Sequence, residues 1–238
     1  MSTDAHLLFL PGLGADARLF NEQRKEFPKA EYLRLPAPKP EEPFGEYAKR
    51  WADSIEWDKH KVVVGFAFGG VLALEAALHS EEFRKNAGGI ILVASCRTKA
   101  AVTSGFRRQV ALSRMVPQMM LRRLLMSFAE RFSEEDDLNA DQRQMLRDMA
   151  LELDLDHLRW ASNACCEWDM ESTKEIEKDI RVFQIHGEKD LVIPLIEGDA
   201  DLVLPGAGHL IQYTRPGELN AYIRLCVGEL GLTTPSIL

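Results

Sequence analysis

The stretch most able to carry chemistry in this 238-residue sequence is Val62-Val63-Val64-Gly65-Phe66-Ala67-Phe68-Gly69-Gly70. An apolar run enters a glycine-flanked turn and leaves it into a segment carrying Leu72, Leu74 and Leu78. Strand, sharp turn and helix in that order are the setting in which a G-x-S-x-G motif presents a nucleophile. The glycines have a steric task there, because side chains two residues on either side of the apex would hold strand and helix apart. The apex is Ala67, which has no nucleophilic atom, so acyl transfer through it is impossible in the chain as it stands.

The remaining reactive side chains are sparse. Six histidines, His6, His60, His79, His157, His186 and His209, are scattered without metal-ligand spacing, so no metal is expected and His186 reads as a structural residue at a strand end. Cys96, Cys165, Cys166 and Cys226 form no C-x-x-C pair, which suits reduced thiols and a cytoplasmic protein. A net charge of −8 repels phosphate backbones and argues against nucleic acid as a partner. No cationic leader precedes the short apolar run at 7–10, and the longest apolar stretch, 62–74, is too short and glycine-rich to span a bilayer, so a soluble, untargeted chain is expected.

Positioning the turn requires a scaffold, and 46% apolar residues in a chain of this length supply one core. Short apolar runs bounded by turn residues recur at 6–10, 32–35, 61–64, 90–94, 181–185 and 201–204. Between most of them lie stretches of helical period, with helices expected at 17–27, 47–57, 68–78 and 216–230. That alternation predicts an α/β fold built of βαβ units around a parallel sheet.

One connection breaks the rhythm. About 85 residues separate the fourth run from the fifth, far more than a crossover needs, so a helical insertion is expected over the sheet. Its halves are opposite in charge: 97–131 holds eight bases and one acid, 133–156 nine acids and two bases. Mutual neutralisation across helices is the plain reading; recruitment of an anionic substrate or a membrane surface by Arg107, Arg108, Arg114, Arg122 and Arg123 is the functional one. Seven of the eight methionines, Met115, Met119, Met120, Met126, Met145, Met149 and Met170, also fall there, as pocket lining for a flexible apolar ligand or as ordinary core filling.

The sequence resembles the α/β-hydrolase family at four places. Leu8-Phe9-Leu10-Pro11-Gly12-Leu13-Gly14 is similar to the family's first strand and oxyanion loop, with Pro11 where His is commoner, and 65–69 resembles the elbow. Ile185-His186-Gly187-Glu188-Lys189-Asp190 is similar to the acid-bearing loop, and Pro205-Gly206-Ala207-Gly208-His209 to the histidine loop. The order of nucleophile, acid, histidine is the family's own. The resemblance implies a mostly parallel sheet of about six strands, a core from 1–96 and 176–238, and a helical cap at 97–175. It also implies roles: Ala67 at the nucleophile position where Ser is expected, Asp190 as acid in preference to Glu188, Asp199 and Asp201, His209 as base, and the N–H groups of Leu13 and Phe68 as oxyanion donors.

The implied activity is cleavage of a small to medium apolar ester, thioester, amide or activated C–C bond, with no cofactor. Ala67 is then an engineered or recent replacement of serine. Two alternatives stand beside it: a natural binding module whose inert pocket holds a small molecule, and a His209–Asp190 base dyad of lyase or oxygenase type. The partner in each case is a small molecule, and nothing in the sequence specifies an oligomeric state.

Overall fold

A computed structural model describes residues 4–234; the first three residues, read above for a leader, and the last four, within the expected core, lie outside them. The chain runs through β1 (His6–Leu10), a 3₁₀ turn (Ala17–Phe20), α1 (Asn21–Glu26), β2 (Glu31–Tyr32), α2 (Phe44–Asp53), β3 (Lys61–Phe66), α3 (Phe68–His79), α4 (Glu81–Asn86) and β4 (Gly89–Val93). Four helices follow, α5 (Ser104–Ser113), α6 (Gln118–Glu135), α7 (Ala140–Glu152) and α8 (Leu155–Glu167). The chain then returns through β5 (Arg181–Gly187), β6 (Leu202–Leu204), α9 (Ile211–Thr214) and α10 (Pro216–Glu229).

The six expected strands form one sheet in the order β2-β1-β3-β4-β5-β6, every pair parallel. Alternate side chains go to opposite faces, and both faces are covered, which is why the strands read as continuous apolar runs. Leu8, Leu10, Val63, Ile90 and Leu92 pack with Tyr47, Trp51, Leu72 and Phe83 on one side. Leu7, Phe9, Val62, Val64, Ile91 and Val93 pack with Phe20, Ile185 and Ile223 on the other. Register places Leu10 beside Gly65 and Gly65 beside Leu92, so the C-terminal ends of the strands open at one edge, where parallel sheets carry their sites.

Boundaries differ from expectation where proline or capping decides. The second strand is two residues rather than 32–35, since Pro36, Pro38 and Pro40 follow and proline has no N–H to give a ladder. Helix α2 starts at Phe44, with Pro43 as its cap, three residues before the expected 47, and ends at Asp53, short of 57. The expected pairing between the two halves of the insertion is seen across helices at Arg147–Glu130, 3.6 Å apart on α7 and α6, while other arginines of the insertion find carbonyl and amide partners. Arg122 donates to the carbonyls of Ala150, Leu151 and Leu153 at the C-terminal end of α7, Arg107 to that of Cys166 and Arg114 to the Asn163 side chain. Guanidinium groups there meet the negative end of a helix rather than the acidic half. Among the described residues only Arg131–Glu135 pairs a base of 97–131 with an acid of 133–156, within one helix.

The insertion meets the sheet layer at a few defined points. The Trp160 indole N–H donates to the Glu42 carbonyl at 2.8 Å and its ring lies 4.4 Å from that of Tyr47. Leu138, 3% exposed, is carried into the cluster that contains Phe66, Ala67 and Leu210. Of the methionines, Met170 is in the core and Met149 is buried, whereas Met115, Met119 and Met120 face solvent.

Candidate active site

Ala67 is the single residue between β3 and α3, with φ 47° and ψ −115°. Positive φ is the expected strain of an elbow apex; this ψ puts it outside the left-handed helical well as well, a conformation costing about 1–3 kcal/mol. The surroundings enforce it. The Ala67 N–H donates to the Val93 carbonyl at 3.0 Å, and its own carbonyl accepts the Ser95 hydroxyl at 2.7 Å. A β-carbon on Gly65 would stand 2.5 Å from the Gly70 nitrogen, and one on Gly69 2.5 Å from the Leu10 carbonyl oxygen, so both positions admit only glycine.

Asp190 lies in the loop after β5, its carboxylate fully buried. The N–H groups of Val192 and Ile193 donate to Oδ1 at 2.8 and 2.9 Å, leaving Oδ2 for His209 Nδ1 at 2.7 Å and His186 Nε2 at 3.3 Å. Burial alone would raise the Asp190 pKa; the charge of His209, the hydrogen bonds from both imidazoles and that from Ile193 outweigh it and hold the group well below the usual carboxylate range. With Nδ1 of His209 committed to the carboxylate, Nε2 is the atom left free for proton transfer. The His209 ring is 10% exposed and lies 4.9 Å, centroid to centroid, from Phe66, the residue before the apex.

His186, at the end of β5, is wholly buried. Its Nε2 faces two acceptors, the Ile193 carbonyl at 2.9 Å and Asp190, so Nε2 carries a proton. Burial pushes its pKa down, but the hydrogen bond to Asp190 and that carboxylate's charge give a net rise. The two imidazoles thus share Asp190 Oδ2, His186 wholly buried and His209 the more exposed of the pair. Among the described residues no group of three or more His, Cys, Asp or Glu is placed to hold a metal ion.

A cavity of about 270 Å³ opens over the Gly12–Leu13 loop and Phe68, beside the apex. Its walls are Leu35, Met149, Leu153, Leu158 and Ala161, the last four from the insertion, with Asp16, Arg34 and Glu152 also lining it. Arg18 bridges Asp16 and Glu152, at 2.6 Å to each, tying the sheet-side loop to α7. Ala67, Asp190 and His209 line neither this cavity nor a larger depression of about 570 Å³ between α6 and Leu151; the smaller one borders Phe68, the residue after the apex, and the larger one borders no residue of the elbow.

The structure therefore brings Asp190 and His209 into contact and sets Leu13 and Phe68 on one cavity wall. Glu188, one of the rival acids, instead accepts the Gly206 N–H, and Asp201 pairs with Arg97. Sequence reasoning missed Ser95, which fixes the apex carbonyl; His157, which lines the cavity; and Asp136, which follows α6 and accepts the Leu210 N–H at 2.9 Å beside His209. Nothing in an acidic run of the type Glu134-Glu135-Asp136-Asp137 signals which carboxylate turns inward.

A family model described as "Alpha/beta hydrolase family" matches residues 7–222. No curated protein matches the chain. Similar solved structures include the esterase RhEst1 from Rhodococcus sp. ECU1013, 18% identical with a TM-score of 0.70 over 97% of this chain and 93% of that one. A hydrolase from Pseudomonas aeruginosa is 13% identical with a TM-score of 0.71 over 96% and 91%. A thermophilic esterase from Thermogutta terrifontis, with malate bound, is 17% identical with a TM-score of 0.66 over 97% and 92%. No helix among the described residues is long and apolar enough to cross a membrane.

Proposed function

The chain belongs to the alpha/beta hydrolase family, and we propose that it is an esterase-type serine hydrolase whose nucleophile position carries alanine. In this reading residues 1–96 and 176–238 are the catalytic core, 97–175 the cap, and the protein acts in the cytoplasm on a small-molecule substrate. Ala67 replaces a serine, by engineering or by recent loss, and the chain as given is inactive in acyl transfer.

The observation that carries the reading is the buried Asp190–His209 hydrogen bond of 2.7 Å, at the same sheet edge as an apex still held at positive φ. A strained turn costs stability, and a glycine-moulded apex at positive φ has its use in presenting a nucleophile to such a dyad.

With a hydroxyl at position 67, His209 Nε2 takes the proton as Oγ attacks the substrate carbonyl, and Asp190 holds the imidazole in its Nδ1–H tautomer and stabilises the imidazolium. The developing oxyanion is held by the Leu13 and Phe68 N–H groups, donors of a kind worth about 3–4 kcal/mol. His209 then returns the proton to the leaving group, and water repeats the sequence to release the acid. A cavity of about 270 Å³ with apolar walls and charged groups beside them fits a short to medium apolar acyl or alcohol part.

The test is to install Ala67→Ser and assay p-nitrophenyl esters of graded chain length. Turnover that is lost with Asp190→Asn or His209→Ala supports the proposal; a rate no higher than in those double variants contradicts it. The complete dyad also supports a second reading, proton abstraction by His209 without a nucleophile, for which turnover by the unaltered chain that disappears with His209→Ala is the signature. Thermal stabilisation by a small molecule that is never turned over marks the third, a binding module.

A further inference from the structure

We infer that Asp136 is a positioning residue for the base: its carboxylate holds the backbone N–H that follows His209 and packs over the glycine that precedes it, so that the seating of the insertion sets the seating of the imidazole. This rests on the proposed role of His209 as base.

Asp136 stands at the junction of α6 with the sheet layer. Its N–H closes the helix onto the Phe132 carbonyl at 3.0 Å, and the next residue, Asp137, has φ 49°, which turns the chain sharply. Leu138 is thereby driven into the cluster around Phe66 and Ala67, its N–H on the Ser133 carbonyl at 3.0 Å and its carbonyl accepting Arg143 Nε at 2.6 Å. The turn is anchored from both directions. Within the acidic run Glu134, Glu135 and Asp137 are exposed, and Asp136 alone is half-buried.

What Asp136 touches is the histidine loop. Oδ2 accepts the Leu210 N–H at 2.9 Å, and Oδ1 lies so close over Gly208 that a β-carbon there would collide with it. One carboxylate therefore fixes the residue after His209 and excludes a side chain from the residue before it. From the other side the loop is held by Lys189 N–H on the Ala207 carbonyl at 2.8 Å. The charged groups facing Asp136 are His209 and Asp190 from the two loops and Glu135 on its own helix. A carboxylate set against a backbone N–H in this partly dry place is an expensive way to close a helix, and an inexpensive way to place an imidazole to within the tolerance catalysis demands.

Two arms test this. In the Ala67→Ser background, Asp136→Ala is expected to lower kcat about 10- to 100-fold, the scale of a misplacement near 1 Å, with KM changed less than about twofold. Asp136→Asn keeps an acceptor for Leu210 and is expected to restore kcat to within about fivefold, while the acid limb of kcat/KM moves to lower pH because a negative charge near the imidazolium is gone. In the unaltered Ala67 chain, which needs no turnover, the His209 Nδ1–H proton resonance, assigned with His209→Ala, is expected to be displaced in Asp136→Ala and largely restored in Asp136→Asn. Amide exchange at Leu210 should accelerate in Asp136→Ala. The inference is overturned if Asp136→Ala leaves kcat and the His209 Nδ1–H resonance unchanged and alters only thermal stability. Absence of hydrolysis by every Ala67→Ser form sinks the proposed function instead, and the His209 resonance and Leu210 exchange still decide the role of Asp136; should Asp136→Ala not fold, the Asn variant carries the test.

Discussion

The elbow and the insertion are made of opposite materials. Around Ala67 the chain is packed to contact: Val63, Val64, Leu72 and Ile91 have no exposed surface, and three glycines stand where a single added carbon would strike backbone or the Ser95 side chain. Along α6 the reverse holds, with Met119, Met120 and Leu124 turned outward and guanidinium groups meeting carbonyls as much as acids. The insertion reaches the site through Leu138, Asp136 and the α7–α8 residues that wall the cavity. The strained apex needs a rigid mould, whereas a cavity wall needs only a few fixed points. Substitutions in the two regions should therefore differ sharply in cost.

The largest effect is expected at the dyad. In the Ala67→Ser background Asp190→Asn should lower kcat about 10⁴-fold by leaving His209 in the wrong tautomer, read by steady-state kinetics with the fold checked by circular dichroism. Next comes the mould itself: Gly69→Ala, whose β-carbon meets the Leu10 carbonyl oxygen, should cost about 3 kcal/mol or more in urea unfolding, and a cost under about 1 kcal/mol would mean the elbow is softer than its contacts imply.

The two carboxylates beside His209 should respond to pH with opposite sign. Asp190 has a folded pKa below its unfolded value, so its stabilisation is present above about pH 4 and is lost as pH falls toward the folded value. Asp136 has its pKa raised, burial outweighing the Leu210 N–H and the His209 charge, so the folded state binds its proton more readily and stability declines as pH rises through that range. Asp136→Asn is thus expected to raise the melting temperature slightly at pH 8, by under about 1 kcal/mol in stability, with the gain vanishing toward pH 4; Asp190→Asn should lower it at pH 8. The smallest effects belong to the outer face of α6, where Met120→Gln and Leu124→Gln should stay within about 0.5 kcal/mol.

The same contrast governs what the sequence discloses. Strands buried on both faces leave continuous runs of Val, Ile and Leu, so 61–64 and 90–94 fall within a residue or two of β3 and β4, and Gly65 and Gly69 mark the elbow because only absent side chains fit there. Asp190 and His209 are legible through the motifs that precede them, and the hydrogen bond between them is a matter of tertiary placement. The insertion offers no such constraint. Its arginines and acids suggest helix-to-helix pairing, but Arg122 finds carbonyls nearer, and Asp136 looks like any solvated acid until Asp137 turns the chain. Short α4 and α9 escape notice because six and four residues carry less than two turns of period.

The central claim is that His209, oriented by Asp190, stands ready to activate a hydroxyl at position 67. Fluorophosphonate labelling of the Ala67→Ser protein, read by intact mass and peptide mapping, tests it without any choice of substrate. The account predicts one adduct per chain, on residue 67, that is lost when His209→Ala is added. No adduct, or the same labelling with His209 removed, would contradict it.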